Sequence, residues 1–203
     1  MITNGYCTLA EFHDYASARG ANVGTDASDD TVIEDIIETV SRYIDGETGR
    51  VFFVSSSDET RYYTPELSTR VWVDDLVSIT TIKSDDDLDR SYPQTISSTD
   101  YDLMPENAAL KGWPYTHIQI PSHSDAYFAT ATKGVQIVGK FGFPSVPHDI
   151  RGATLSIAWN VYQGRVGQST GGDVTVTGAG VVIRPKDVPA LARATIDHYR
   201  RLY

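Results

Sequence analysis

A buried strand that runs through a turn into a long helix constrains this chain more than any other feature: VQIVGKFGFPSVPHDIRGATLSIAWNV, from Val135 to Val161. Val135, Ile137 and Val138 read as strand. Gly139, Gly142 and Pro144 mark its exit, because glycine accepts the backbone angles of a strand-to-loop break and proline removes a ladder donor. Pro147 stands where a helix begins. From there Ile150, Ala153, Thr154, Ile157, Ala158 and Val161 recur at spacings of three and four, giving one apolar face narrow enough for close helix packing. The rest of the chain must cover that face.

Three other helices are expected to do so. Thr8 and Glu11 form a capping box ahead of a helix running from Thr8 to Arg19 and closed by Gly20. After a small, polar loop over 21–27, Ser28, Asp29 and Asp30 supply cap oxygens and negative charge to a second helix, Asp29 to Asp45. Its stripe is Val32, Ile33, Ile36, Ile37, Val40 and Ile44. The third helix is Pro147 to Gln163. Asp187 and Pro189 then open a fourth helix reaching Leu202, with Leu191, Ala194, Thr195, His198 and Leu202 on one side and Arg193, Arg200 and Arg201 away from it.

Between the second and third helices the period changes from 3.6 to 2. Val51 to Val54 begin a strand region, followed by Arg61 to Tyr63, a Pro65 turn, Val71 to Val73, and Val77 to Ile82. Tyr101, Leu103, Ile118 and Ile120 add two short strands. The expected fold is therefore α+β: a small bundle of about four helices, 1–50 and 144–203, with a β-rich insertion over 51–143. A Gly, Ser and Thr-rich stretch over 164–185 reads as a flexible loop or a marginal hairpin.

Charge and composition exclude several functions. With 17 basic and 27 acidic residues the net charge is −10, whereas gripping nucleic acid needs clustered Lys and Arg. No apolar run approaches the roughly 20 residues of a membrane span, and the first residues lack the basic start and apolar block of a signal peptide. Cys7 is the only cysteine, so no internal disulfide forms, which suits a reducing cytoplasm.

No catalytic, cofactor or metal site is expected. Cys7 and His13 could be imagined as a thiol–imidazole pair, but a thiol near a helix start is the plainer reading. The run Asp85 to Asp89, four aspartates in five residues, is expected to be a solvated hairpin tip, and it lacks the glycine and distal glutamate of a calcium loop. His117, His123 and Asp125 fit no standard ligand spacing. Gly178-Ala179-Gly180 has neither the strand, the helix nor the distal acid of a dinucleotide loop. The aromatics Tyr62, Tyr63, Trp72, Trp113 and Tyr115 leave open a small ligand-binding β module, although such residues at strand spacing serve a core more often than a pocket. An enzyme without a recognisable site is the other alternative.

One resemblance bears on function. The run Gly139-Lys140-Phe141-Gly142-Phe143-Pro144-Ser145-Val146-Pro147 followed by Ile150 and Ala153, the helix from Asp29 ending in Thr48-Gly49-Arg50-Val51-Phe52, and Asp100-Tyr101-Asp102-Leu103-Met104-Pro105 with Trp113-Pro114-Tyr115-Thr116 together resemble the long form of the tailed-bacteriophage head-tail connector, or adaptor, family. They cover about two thirds of the chain in the family's order. The resemblance implies a structural virion protein at the neck, twelve copies of which form a ring between the portal protein and a stopper or tail-completion protein. DNA would be only a passing genome, and no membrane would be involved. The chain would be made in the host cytoplasm. Arg193, Tyr199, Arg200, Arg201 and Tyr203 are then candidates for docking to the portal, with completion of the bundle core as the competing role for that helix.

Overall fold

A computed structural model describes residues 2–21, 23, 27–166, 183 and 187–201. Of the Gly, Ser and Thr-rich stretch expected as a loop or hairpin over 164–185, residues 164–166 instead continue the third helix, and the rest except Ile183 lies outside the described residues, as do the Gly178-Ala179-Gly180 motif, Leu202 and Tyr203. Two compact units emerge: Met1–Arg50 with Val146–Tyr203, and Val51–Ser145.

The first unit is helical. Its members are α1 (Leu9–Ser17), α2 (Ala27–Thr48), α3 (His148–Val166) and α4 (Ala190–Tyr199), and α3 packs against each of the other three. The expected capping box opens α1: the Thr8 hydroxyl accepts from the Glu11 amide, while a Glu11 carboxylate oxygen accepts from the Thr8 amide at 2.8 Å. Thr8→Ala should cost about 1 kcal/mol, lowering the melting temperature by roughly 2–4 °C in a chain of this size. An unchanged melt would mean that the α1 start contributes nothing to stability.

Helix α2 differs from expectation at both ends. It begins at Ala27, so Asp29 and Asp30 lie inside the first turn, where they favour the dipole but do not cap. It then passes through Gly46 to Thr48 and stops where Gly49 takes φ +65°, the left-handed conformation that ends helices. Of its predicted stripe, Ile33, Ile36, Ile37, Val40 and Ile44 are buried, and only Val32 is half-buried. Burial of each such side chain contributes about 1.5–3 kcal/mol. The N-terminal residues are strapped along this helix: the Thr3 and Asn4 amides donate to Glu38 Oε1, the Tyr6 amide donates to Ser41 Oγ, and the Tyr6 hydroxyl donates to Asp45.

All six residues of the predicted α3 stripe are buried. The α4 face is a correction. Val188, Ala192, Ile196 and Tyr199 are buried, whereas Leu191, Ala194 and His198 are exposed and Thr195 is half-buried. The helix is also shorter than expected, with Pro189 as its N-cap and Asp187 ahead of it rather than capping. Both rows have helical spacing. Packing chose the row that ends in Tyr199, whose hydroxyl finds a partner at Asp149.

The second unit holds a six-stranded antiparallel sheet built around β2 (Arg70–Ser84), with β1 (Glu59–Tyr63), β3 (Gln94–Ile96), β4 (Asp102–Met104), β5 (Tyr115–Gln119) and β6 (Val135–Phe141). The order is β1-β6-β2-β5-β4, and β3 pairs with the far end of β2. The interior is Val71, Val73, Leu76, Ile82, Ile96, Ile118, Ile120, Phe128, Val135, Ile137 and Phe141. The two runs expected around Val71 and Val77 form one strand, because register shifts near Leu76 and Ile79 absorb the broken alternation as bulges.

Three further expectations fail here. Val51 to Val54 form no strand; Phe52 is wholly buried and packs on Phe143 with ring centroids 4.8 Å apart and the rings tilted by 47°. Gly139 does not end β6, which continues to Phe141. A β-carbon at Gly139 would come within 2.2 Å of the Ser78 carbonyl oxygen, so the glycine permits close strand approach instead. Asp85 is not part of a solvated tip: it is 3% exposed, and its carboxylate accepts the Arg90 amide at 3.0 and 3.1 Å.

Candidate docking groove on the helical unit

The candidate docking residues fall on and after α4, and packing divides them. Tyr199 is buried, and its hydroxyl donates to Asp149 Oδ1 on α3 at 3.0 Å. Burial, then the adjacent carboxylate, pushes this phenol up to about 12. It is a core residue with a fixed polar tip. Arg201 is half-buried, and its amide donates to the Thr48 carbonyl at the end of α2 at 2.8 Å. Arg200 is exposed but pairs with Glu47 at 3.1 Å and Asp197 at 3.2 Å. Arg193 is exposed on α4. The C-terminal residues therefore tie α4 to α2 and α3, which favours the core role for this helix.

Beside α4 lies a groove of about 590 Å³ lined from α1, α3 and α4. Small residues, Gly152, Ala153 and Ser156, lie along α3, and Trp159 follows them. One rim carries Leu191, 81% exposed. In the turn after α1, the Arg19 guanidinium lies 3.5 Å from the centroid of the Tyr15 ring, and Nη2 donates to the Tyr15 hydroxyl at 2.6 Å. Asp149 also lines the groove, but one of its oxygens already accepts from Tyr199 and Ile150. Sequence reading missed this groove. Its signals were present as Arg19 one turn after Tyr15 and as a glycine inside the third helix, but neither pattern points to a groove before the helix neighbours are known.

The remaining candidates stay apart or are accounted for locally. Burial, then the Glu11 charge, pushes the Cys7 thiol up to about 12, and His13 Nε2 is paired with Asp30 at 3.0 Å. Asp85, Asp87 and Asp89 each place an oxygen within 4.8 Å of the others. The Arg90 and Ser91 amides already donate into that loop. His117 is not grouped with His123 and Asp125 in any ligand cluster among the described residues; it packs on Trp72 at 4.6 Å. The five aromatics proposed for a ligand module are spread over several elements. Tyr62 packs on Tyr92, Tyr63 donates to Asp74, Trp113 packs on Phe143 and Tyr115 lies against the sheet core, while Trp72 is 54% exposed. No helix among the described residues is long and apolar enough to cross a membrane.

No protein-family model and no curated protein matches the chain. Among solved structures, the fold is similar to a chain in the neck of an empty GTA (gene transfer agent) particle computed with C6 symmetry. The TM-score is 0.57 at 16% identity, over 98% of this chain and 91% of that one. At that identity the likeness is one of fold.

Proposed function

We propose that this chain is a structural subunit of the neck of a tailed-phage-like particle, a head-tail connector that forms a ring of twelve copies between the portal protein and a stopper or tail-completion protein. The observation that supports this reading is the likeness in fold, along nearly the whole chain, to a chain from the neck of a phage-like particle. The three sequence segments that resemble the adaptor family point the same way. On this reading the chain works in the virion and catalyses nothing, and the genome passes without being gripped. A ring with a net charge of −10 on each copy repels DNA phosphates, which lets a genome slide.

Arg193 and Arg200 are the docking candidates that remain on the surface, and we assign them a charge-pairing role at the portal rather than an anchoring one. The test is the mass of the assembly. The chain mixed with portal rings should add twelve copies to each ring, resolved by mass photometry or native mass spectrometry. A wild-type chain that never associates with portals, and stays monomeric, would defeat the proposal.

A further inference from the structure

We infer that the groove beside α4 receives the loop between β4 and β5 of a second copy of this chain, with Leu110 of that loop as the anchor, and that this contact repeats from copy to copy around a ring. The inference rests on the reading of the chain as a ring-forming neck subunit and names the contact that joins neighbouring copies.

The loop is a knob built for exposure. Between β4 and β5 the chain makes one turn of 3-10 helix, Ala109–Lys111, closed by Gly112 at φ +71°. It is held from within: Ala108 is buried, and its carbonyl accepts the Lys111 amide at 2.9 Å and the Trp113 amide at 3.0 Å. Leu110 stands out from this turn at 85% exposure, the highest among the large hydrophobic residues described. An apolar side chain on a turn already tied down gives up little freedom when a partner covers it, which suits an interface anchor.

The groove has the matching form. A recess of about 590 Å³ admits a group the size of a drug-like ligand, so the tip of a turn can enter together with its leucine. Ala153 and Trp159 supply apolar lining, and Leu191 stands exposed on the rim. At Gly152 a β-carbon would meet nothing within 4 Å, which leaves room for the incoming backbone.

Charge selects the occupant. The groove is lined by one cation and one anion, Arg19 and Asp149, both exposed, so a partner of a single charge sign would satisfy one and repel the other. The knob carries one of each beside its apolar tip. Glu106 and Lys111 are both exposed, and neither has an ion-pair partner among the described residues. Glu106 against Arg19 and Lys111 against Asp149 leave all four paired. Copies that each carry a net charge of −10 repel one another at a distance, so their contact needs local pairing of this kind. Knob and groove are different patches, which makes the contact heterologous: each copy gives its knob to one neighbour and its groove to the other, as a closed ring requires.

Leu110→Asp and Gly152→Leu, made separately in the full chain, test this by native mass spectrometry of the chain alone and with portal rings purified from the same particle. Both positions are exposed, so both variants should keep wild-type circular dichroism and melting. Each should weaken association between copies at least tenfold. An equimolar mixture of the two should give a 1:1 pair that grows no further, because it contains one sound knob and one sound groove per pair. Arg19→Glu and Glu106→Arg should each weaken association, and the two combined in one chain should restore it. Wild-type rings from Leu110→Asp or Gly152→Leu, or a charge swap without rescue, would overturn the knob and groove while leaving the neck reading intact. Rings that still form but no longer bind portals in Gly152→Leu would give the groove to the portal and overturn it equally. A wild-type chain that neither self-associates nor joins portals would sink both readings.

Discussion

Ile157→Asp is expected to abolish the cooperative unfolding transition of the helical unit, leaving a chain with residual helix content but no sharp melt. Ile157 is fully buried on the face of α3 that also carries Ile150, Ala153, Thr154, Ala158 and Val161. Removing its side chain alone should cost about 2–5 kcal/mol. The carboxyl adds a further few kcal/mol whichever way it resolves, since a charge would be stranded without a partner and a neutral acid would need hydrogen bonds that an isoleucine site does not offer. The sum approaches the whole stability of an ordinary domain, about 5–15 kcal/mol. Thermal melts followed at 222 nm check this, with Ile157→Val as a control that should lose only about 1 kcal/mol. A melting temperature within a few degrees of wild type in the aspartate variant would show that this face of α3 is not the centre of the bundle.

The α3 stripe was legible because its six residues are all apolar or small, and each of its burial partners, whichever helix supplied it, had to meet the same face. The α+β class, with the β-rich region between α2 and α3, was legible for a similar reason: the change of period from 3.6 to 2 after Gly49 is abrupt. Helix α4 was harder. Its two candidate rows differ by one residue, about 100° of rotation, and Leu191 weighted the wrong one because a leucine counts as buried until a groove is seen beside it. Tyr199, considered for an anchor on a partner, found its polar partner inside the unit at Asp149.

In the sheet, local composition misled where tertiary pairing decided. Asp74 and Asp75 divide the apolar residues of β2 into two apparent strands. The long strand survives because Asp74 lies at one side with Arg61 and Tyr63, and bulges restore the alternation. Asp85 sits among like charges and yet is buried, because the backbone of its own loop supplies the hydrogen bonds that a solvated carboxylate would take from water. Neither outcome follows from residue types alone. The groove was less legible still, since it belongs to three helices that are far apart in sequence.

Gly142→Val should be the most damaging single change in the sheet unit. Gly142 adopts φ +108°, a region that residues with a β-carbon rarely enter, and an added β-carbon would stand 1.9 Å from the Phe53 carbonyl oxygen. That oxygen is backbone and cannot rotate away. Around it the chain is closely tied: the Gly142 amide donates to the Asp75 carbonyl at 2.8 Å, the Ser55 amide donates to the Phe141 carbonyl at 2.9 Å, and the Phe141 amide donates to Ser55 Oγ at 3.0 Å. Relieving the clash therefore means moving β6 away from the segment before β1, and breaking at least one of these bonds while loosening the packing of Phe52 on Phe143. Backbone strain and lost contacts together should amount to roughly 3–5 kcal/mol, a fall in melting temperature on the order of 10 °C. Gly152→Ala is the opposing control, because it lies in a helix with open space at its β-carbon and should hold or raise the melt by up to about 1 kcal/mol. If Gly142→Val melted with the wild type, the strand exit would have a second conformation open to it, and the close approach of Phe53 to Gly142 would not be what fixes the end of β6.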